Sequence, residues 1–218
     1  MNQPLLSVIS VFGAGSFLSL LSVVNPPSTL PMYLALVQND TEQSRARMAR
    51  NASLYCFYIL VASLFVGAAI LQAFGISYGA LRVSGGIVVL ILGHGLMYDK
   101  GPTRMIDKQP IPPPNPTFFP LAMPGITGPG TIAVVIGIST ELRELQGGTS
   151  QILGYCVTIL AMAGVCIVEW LLLRAAPKVS DRLGPIGIEV VTRLSGFLLI
   201  CVGVQFIASG IRTLVTAS

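Results

Sequence analysis

The apolar stretch from Leu18 to Gln38 is interrupted midway by Asn25-Pro26-Pro27-Ser28-Thr29, and that interruption limits what the chain can build. Proline lacks an N–H and its ring clashes with the preceding turn, so one helix cannot run through Pro26 and Pro27. Asn25 suits an N-cap, and Pro26 suits the first helical position. The sequence therefore predicts one helix stopping near Val24 and a second starting at Pro26. The device returns in PLAMPGITGPGTIAVVIGIS, Pro120 to Ser139, where Gly128-Pro129-Gly130-Thr131 stands in place of Asn25-Pro26-Pro27-Ser28. Broken apolar helices at matching positions of two halves point to a binding site at the midplane of a bilayer.

Composition narrows the class. Hydrophobic residues make up 53% of the chain and charged residues 10%, against roughly 25% charged in soluble domains. That excludes a soluble globular domain and implies an all-α polytopic membrane protein. The amino-terminal apolar run carries no Lys or Arg before it and is too long for a signal peptide, so it is read as a retained span. Cys56, Cys156, Cys166 and Cys201 all lie in apolar runs without metal-ligand spacing, and are expected to be buried thiols. The net charge of +4 belongs to loops near lipid headgroups, with no nucleic-acid partner implied.

A span needs about 20 apolar residues. The expected spans are Leu6 to Val37, broken at Asn25; Ala52 to Phe74; Tyr78 to Met97; Thr117 to Thr140, broken at Gly128; Gln151 to Leu173; and Ile186 to Leu214. Asn39 to Arg50 and Glu141 to Ser150 read as polar connections. The Pro-rich 99–116 separates a first three-helix unit, 1–98, from a second, 117–218. Arg82-Val83-Ser84-Gly85 and Arg193-Leu194-Ser195-Gly196 repeat near the starts of the third and sixth spans. A three-span unit crosses an odd number of times, so two consecutive copies have opposite orientation. The expectation is six helices as a 3+3 inverted-topology repeat with discontinuous first and fourth helices. Arg45, Arg47, Arg50, Lys100, Arg104, Lys108, Arg174, Lys178 and Arg182, nine of the 13 basic residues, fall after spans one, three and five. The positive-inside rule makes those connections cytoplasmic and both termini external.

The motifs NPPSTLP, FGISYGALRVSGG, PLAMPGITGPGT and RLSGFLLICVGVQFIASGI resemble the MarC family of bacterial and archaeal inner-membrane proteins across nearly the whole chain. The second proline of NPP departs from many relatives. The resemblance implies a transporter of small neutral amino acids, alanine- or glycine-like, acting chiefly as an exporter. The expected partners are that substrate and the lipid bilayer, with a proton or Na+ as the coupling ion and no cofactor.

The residues suggest a site by chemistry alone. A half-helix N-terminus offers unpaired N–H groups and a positive dipole end for a carboxylate. The helix ending before each break offers free carbonyls for an ammonium, so a zwitterionic amino acid matches both. Asn25, Pro26, Ser28, Thr29, Gly128, Pro129, Gly130 and Thr131 are the candidate substrate-binding residues, the glycines permitting close approach. The alternative is kinks that serve packing only. Arg82 and Arg193 lie inside apolar runs, where a charge is paired or snorkels. Glu189 is placed to pair with Arg193 along one helix face. Arg82 has Tyr78 at the equivalent position and turns toward Glu141. These charges read as gates or as anchors. Glu169, isolated in VCIVEWLLLR, is a coupling-proton candidate or a structural partner, and His94 reads as a packed residue. A membrane enzyme is disfavoured by the single His, Asp residues placed in loops, and the lack of a nucleophile or metal cluster. A channel or scaffold remains the other class, although the second and fifth spans show little polar striping.

Overall fold

The computed structural model describes residues 9–98, 115–145 and 148–217, which form helices without any strand among them. The Pro-rich connection assigned to 99–116 lies almost wholly outside the described residues, as does the start of the first span. A wide, π-type turn over Ile9–Gly15 leads into α1, Ser16–Val24, then a 3-10 turn at Pro26–Thr29 and α2, Leu30–Leu36. α3 covers Glu42–Ala73 and α4 covers Tyr78–Tyr98. An irregular helical segment, Thr117–Ile126, precedes α5, Pro129–Glu144, and α6 runs over Gly148–Ala217.

Three expectations about where helices run need correction. The polar 39–50 stretch is not a loop, because α3 begins at Glu42. Thr41 caps it by accepting from the Ser44 N–H at 3.3 Å, and the following residues are strong helix formers that hydropathy does not register. Arg45 folds back to donate from Nε to the Val37 carbonyl and from Nη2 to the Gln38 carbonyl, each at 3.1 Å. It thereby closes the carboxyl end of α2. Secondly, Thr117–Ile126 is not a regular half-helix: Pro120 and Pro124 lie inside it, and Phe119 and Met123 have extended backbone angles. Thirdly, the fifth span does not end at Leu173. Helix continues through Arg174, Lys178, Asp181 and Arg182 as far as Gly184, whose φ of +66 breaks it into limbs 148–183 and 185–217. Only glycine adopts that angle cheaply.

At 70 residues α6 is about 105 Å long if straight, against a hydrocarbon core of about 30 Å. Among the described residues, α3, α4 and α6 are long and apolar enough to cross a membrane, and Thr117–Ile126 with α5 forms a further apolar pair bent by 63°. Leu20, Leu60, Leu64, Leu121, Leu142, Met162 and Leu173 are fully enclosed in one core. Large apolar residues also face outward, including Leu160, Ile186 and Val215. Apolar side chains on both the inside and the outside are what a lipid solvent requires. Cys56 and Cys166 are buried with Sγ atoms 3.6 Å apart, but Cys156 and Cys201 turn outward, contrary to the expectation of four buried thiols. In lipid an apolar-facing thiol needs no burial.

The most extensive interface joins α4 to α6. Gly79, Gly86 and Gly93 recur every seventh residue on α4 and meet Gly210, Gly203 and Gly196 on the second limb of α6, in antiparallel order. A Cβ on Gly86 would stand 2.7 Å from the Gly203 carbonyl oxygen, and one on Gly93 would stand 2.7 Å from that of Gly196. The backbones touch at each step, which is how helices gain dispersion contact where lipid offers no hydrophobic drive.

Candidate functional site: two helix breaks and a buried acid

At the first break Asn25 is left-handed, with φ 45 and ψ 68, and its N–H donates to the Leu21 carbonyl at 3.0 Å. Its side chain does not cap the next helix as expected. Asn25 Nδ2 instead donates to the Ser195 carbonyl at 3.1 Å, tying the break to the Arg193-Leu194-Ser195-Gly196 motif of α6. Pro26 and Pro27 have no N–H, and the Ser28 N–H donates to the Asn25 carbonyl at 2.8 Å. The free donors expected here are therefore spent or missing before Thr29. Asn25, Ser28 and Thr29 are all buried.

The second break keeps its donors. Thr127, fully buried, donates from both N and Oγ1 to the Ala122 carbonyl, at 2.9 and 2.6 Å. Gly128 is extended, Pro129 occupies the first turn, and the first helical bond runs from the Ile132 N–H to the Gly128 carbonyl at 3.1 Å. The N–H groups of Gly130 and Thr131 thus lack an acceptor within α5. Both residues are buried.

The breaks meet. The Pro26–Thr29 turn packs against Thr117–Ile126, and a Cβ on Gly130 would lie 3.6 Å from Val23, two residues before Asn25. That Cβ would also overlap Val89 of α4, so Gly130 serves close helix packing as well. A cavity of about 720 Å³ lies beside the first break, with Ser22, Asn25, Pro26 and Pro27 on one side and Leu171 and Val202 of α6 on the other.

Glu169 locks this arrangement from α6. It is fully buried, and its Oε1 accepts from Thr29 Oγ1 at 2.6 Å. Its Oε2 has no hydrogen-bond partner among the described residues. Thr29 Oγ1 also reaches the Pro26 carbonyl at 2.8 Å, so one hydroxyl proton faces two acceptors. Arg174, the basic residue nearest to Glu169 in sequence, stacks over Trp170 with Cζ 5.5 Å from the ring centre and does not pair with Glu169. Sequence reasoning singled out both Thr29 and Glu169 without joining them, because 140 residues separate the two and no local spacing marks the contact.

The remaining charged candidates lie away from the breaks. Arg193 donates to Glu189 Oε1 from Nη2 at 2.7 Å and from Nε at 3.0 Å, and from Nη1 to the Met97 carbonyl at 3.3 Å. The pair faces outward, with side chains 56% and 60% exposed, and it fastens α6 to the end of α4. Arg82 lies over the Tyr78 ring at 4.9 Å. His94 packs on Tyr98 with ring centres 4.8 Å apart.

Apolar helices long enough to span a bilayer, with one further apolar pair bent at a break, define an all-helical integral membrane protein. The MarC family model, described as MarC family integral membrane protein, matches residues 10–215, and the chain belongs to that family. It is 31% identical over 219 aligned positions to the inner membrane protein MarC of Escherichia coli strain K12, covering 97% of this chain and 98% of that protein. The same figures hold for the MarC proteins of Escherichia coli O6:H1 and of Shigella flexneri. No solved structure matches the chain.

Proposed function

We propose that the protein is a secondary transporter of small neutral amino acids, alanine- or glycine-like, which it exports across the inner membrane by alternating access. The observation that carries this reading is the contact between the two interrupted helices in the protein interior. The unsatisfied N–H groups of Gly130 and Thr131 suit the substrate carboxylate. The buried hydroxyls of Ser28, Thr29 and Thr131 add short polar contacts without filling the space. Glu169 holds the first break through Thr29, and so couples α6 to the geometry of the site. On this reading the two halves are inverted copies, the connections after spans one, three and five are cytoplasmic, and both termini are external. The matched arginine motifs, the charge bias and the inner membrane location of the named relatives support it.

Purified protein in liposomes, loaded with labelled alanine or glycine and given imposed proton or Na+ gradients, tests the proposal. Saturable, gradient-dependent flux is expected. Absence of flux for every small neutral amino acid under every gradient would refute it.

A further inference from the structure

Away from the breaks, one end of the bundle holds a cation and an anion that share a cavity without closing into an ion pair. Tyr78 and Arg82 lie one turn apart on α4, as do Gly137 and Glu141 on α5. Gly137 makes room for Tyr78, since a Cβ there would overlap the Tyr78 ring and hydroxyl. The Tyr78 ring is thus wedged between the two helices and forms a platform for the Arg82 guanidinium, 4.9 Å away. Arg82 and Glu141 both line a cavity of about 230 Å³, together with Ser16 and Ser19 of α1. Arg82 forms no ion pair with Glu141. Phe12, Val134, Ile138 and Phe206 supply apolar walls.

We propose that this cavity is a second binding station for a free zwitterionic amino acid, outside the helix breaks, with Arg82 taking the carboxylate and Glu141 the ammonium. A guanidinium offers a planar fork that matches a carboxylate with two parallel bonds. Tyr78 fixes the fork's orientation by stacking, so little freedom is lost on binding. An ammonium has three donors for the Glu141 carboxylate and the two serine hydroxyls. The apolar walls leave space for a short neutral side chain and reject a charged one. An unpaired cation and anion across a small cavity form an electrostatic template whose best complement carries both charges. The station lies along α1 and α5 toward the carboxyl end of α5, so it leads to the breaks those helices carry. This proposal rests on the reading of the chain as an amino acid carrier.

Equilibrium binding of labelled alanine to purified protein, competed with alaninamide and with propionate, tests it. Alaninamide lacks the carboxylate and propionate lacks the ammonium. In the parent protein alanine should outcompete both. Alanine should bind the parent in two phases, and in the one that belongs to this station Arg82→Gln should weaken alanine by roughly tenfold or more and erase its advantage over alaninamide, while leaving its advantage over propionate and leaving the phase at the breaks unchanged. Glu141→Gln should do the reverse. Gly137→Ala, which displaces the Tyr78 platform, should reproduce the Arg82→Gln pattern with Arg82 present. These are ratios between ligands, so a general loss of folded protein does not imitate them. Unchanged preferences in both charge variants, with alanine still bound, would overturn the station and leave the transporter reading intact. Failure of the parent protein to bind any small amino acid would overturn both.

Discussion

Thr29→Val is the sharpest probe of how the first break is held. Valine replaces the hydroxyl with a methyl of similar volume, so cavity formation adds little and the polar contact is isolated. Thr29 is 2% exposed and Glu169 is fully buried, and the bond between them is 2.6 Å. Neutral hydrogen bonds in membrane proteins average about 0.6 kcal/mol with a maximum near 1.7, and leaving a buried partner unsatisfied costs about 1–3. Glu169 Oε2 already lacks a partner among the described residues, so the variant leaves the carboxyl with neither oxygen satisfied. The expected destabilisation is about 2 kcal/mol. Glu169→Gln should cost less, because its amide can donate to Thr29 Oγ1 while Thr29 donates to the Pro26 carbonyl. The double variant Thr29→Val/Glu169→Leu should recover much of the loss, since removing both partners leaves no orphan. Reversible unfolding in mixed micelles with a denaturing detergent gives the stabilities of the parent, these variants and Glu169→Leu alone, which closes the cycle. Thr29→Val as stable as the parent, or strictly additive losses in the double variant, would refute the reasoning.

Other outcomes follow from packing and pairing. Gly86→Ala should cost on the order of 1–3 kcal/mol, because its Cβ meets backbone that cannot rotate away. Gly95→Ala, with open space at its Cβ, should be neutral or stabilising by up to about 1 kcal/mol in the same unfolding assay. Arg193→Gln should be more disruptive than Glu189→Gln, since only Arg193 also holds the Met97 carbonyl. A charge-swapped pair should therefore stay below the parent in stability, and full recovery would show the Met97 bond to be idle. Gly130→Ala should lose both stability and transport by pushing on Val89, and Val89→Ala should restore the stability. Transport still absent in that stable double variant would place Gly130 against the substrate.

The interruptions were legible because proline and glycine act locally at Pro26, Pro27, Gly128 and Pro129, although α6 runs through Pro177. What each break does with its polar groups was not, since it depends on partners far along the chain. Asn25 has the side chain of an N-cap, but the Ser195 carbonyl 170 residues away takes its amide. Hydropathy also set the wrong edges at both ends of long helices. Helix-forming polar residues extend α3 back to Glu42 and carry α6 past Leu173, and such residues look like loop to a measure of apolarity. The glycines of α4 do not name their partner. Their seven-residue spacing is visible in the sequence, but its register against Gly196, Gly203 and Gly210 is set only when the two helices dock.

Counterflow tests alternating access most directly. Liposomes containing the purified protein are loaded with unlabelled alanine and diluted into a trace of labelled alanine with no ion gradient. A carrier that opens to one side at a time should transiently concentrate label inside above the external level, and external alaninamide should fail to drive exchange. Label that only equilibrates, at a rate that does not saturate with alanine, would mark an open pathway and contradict the account.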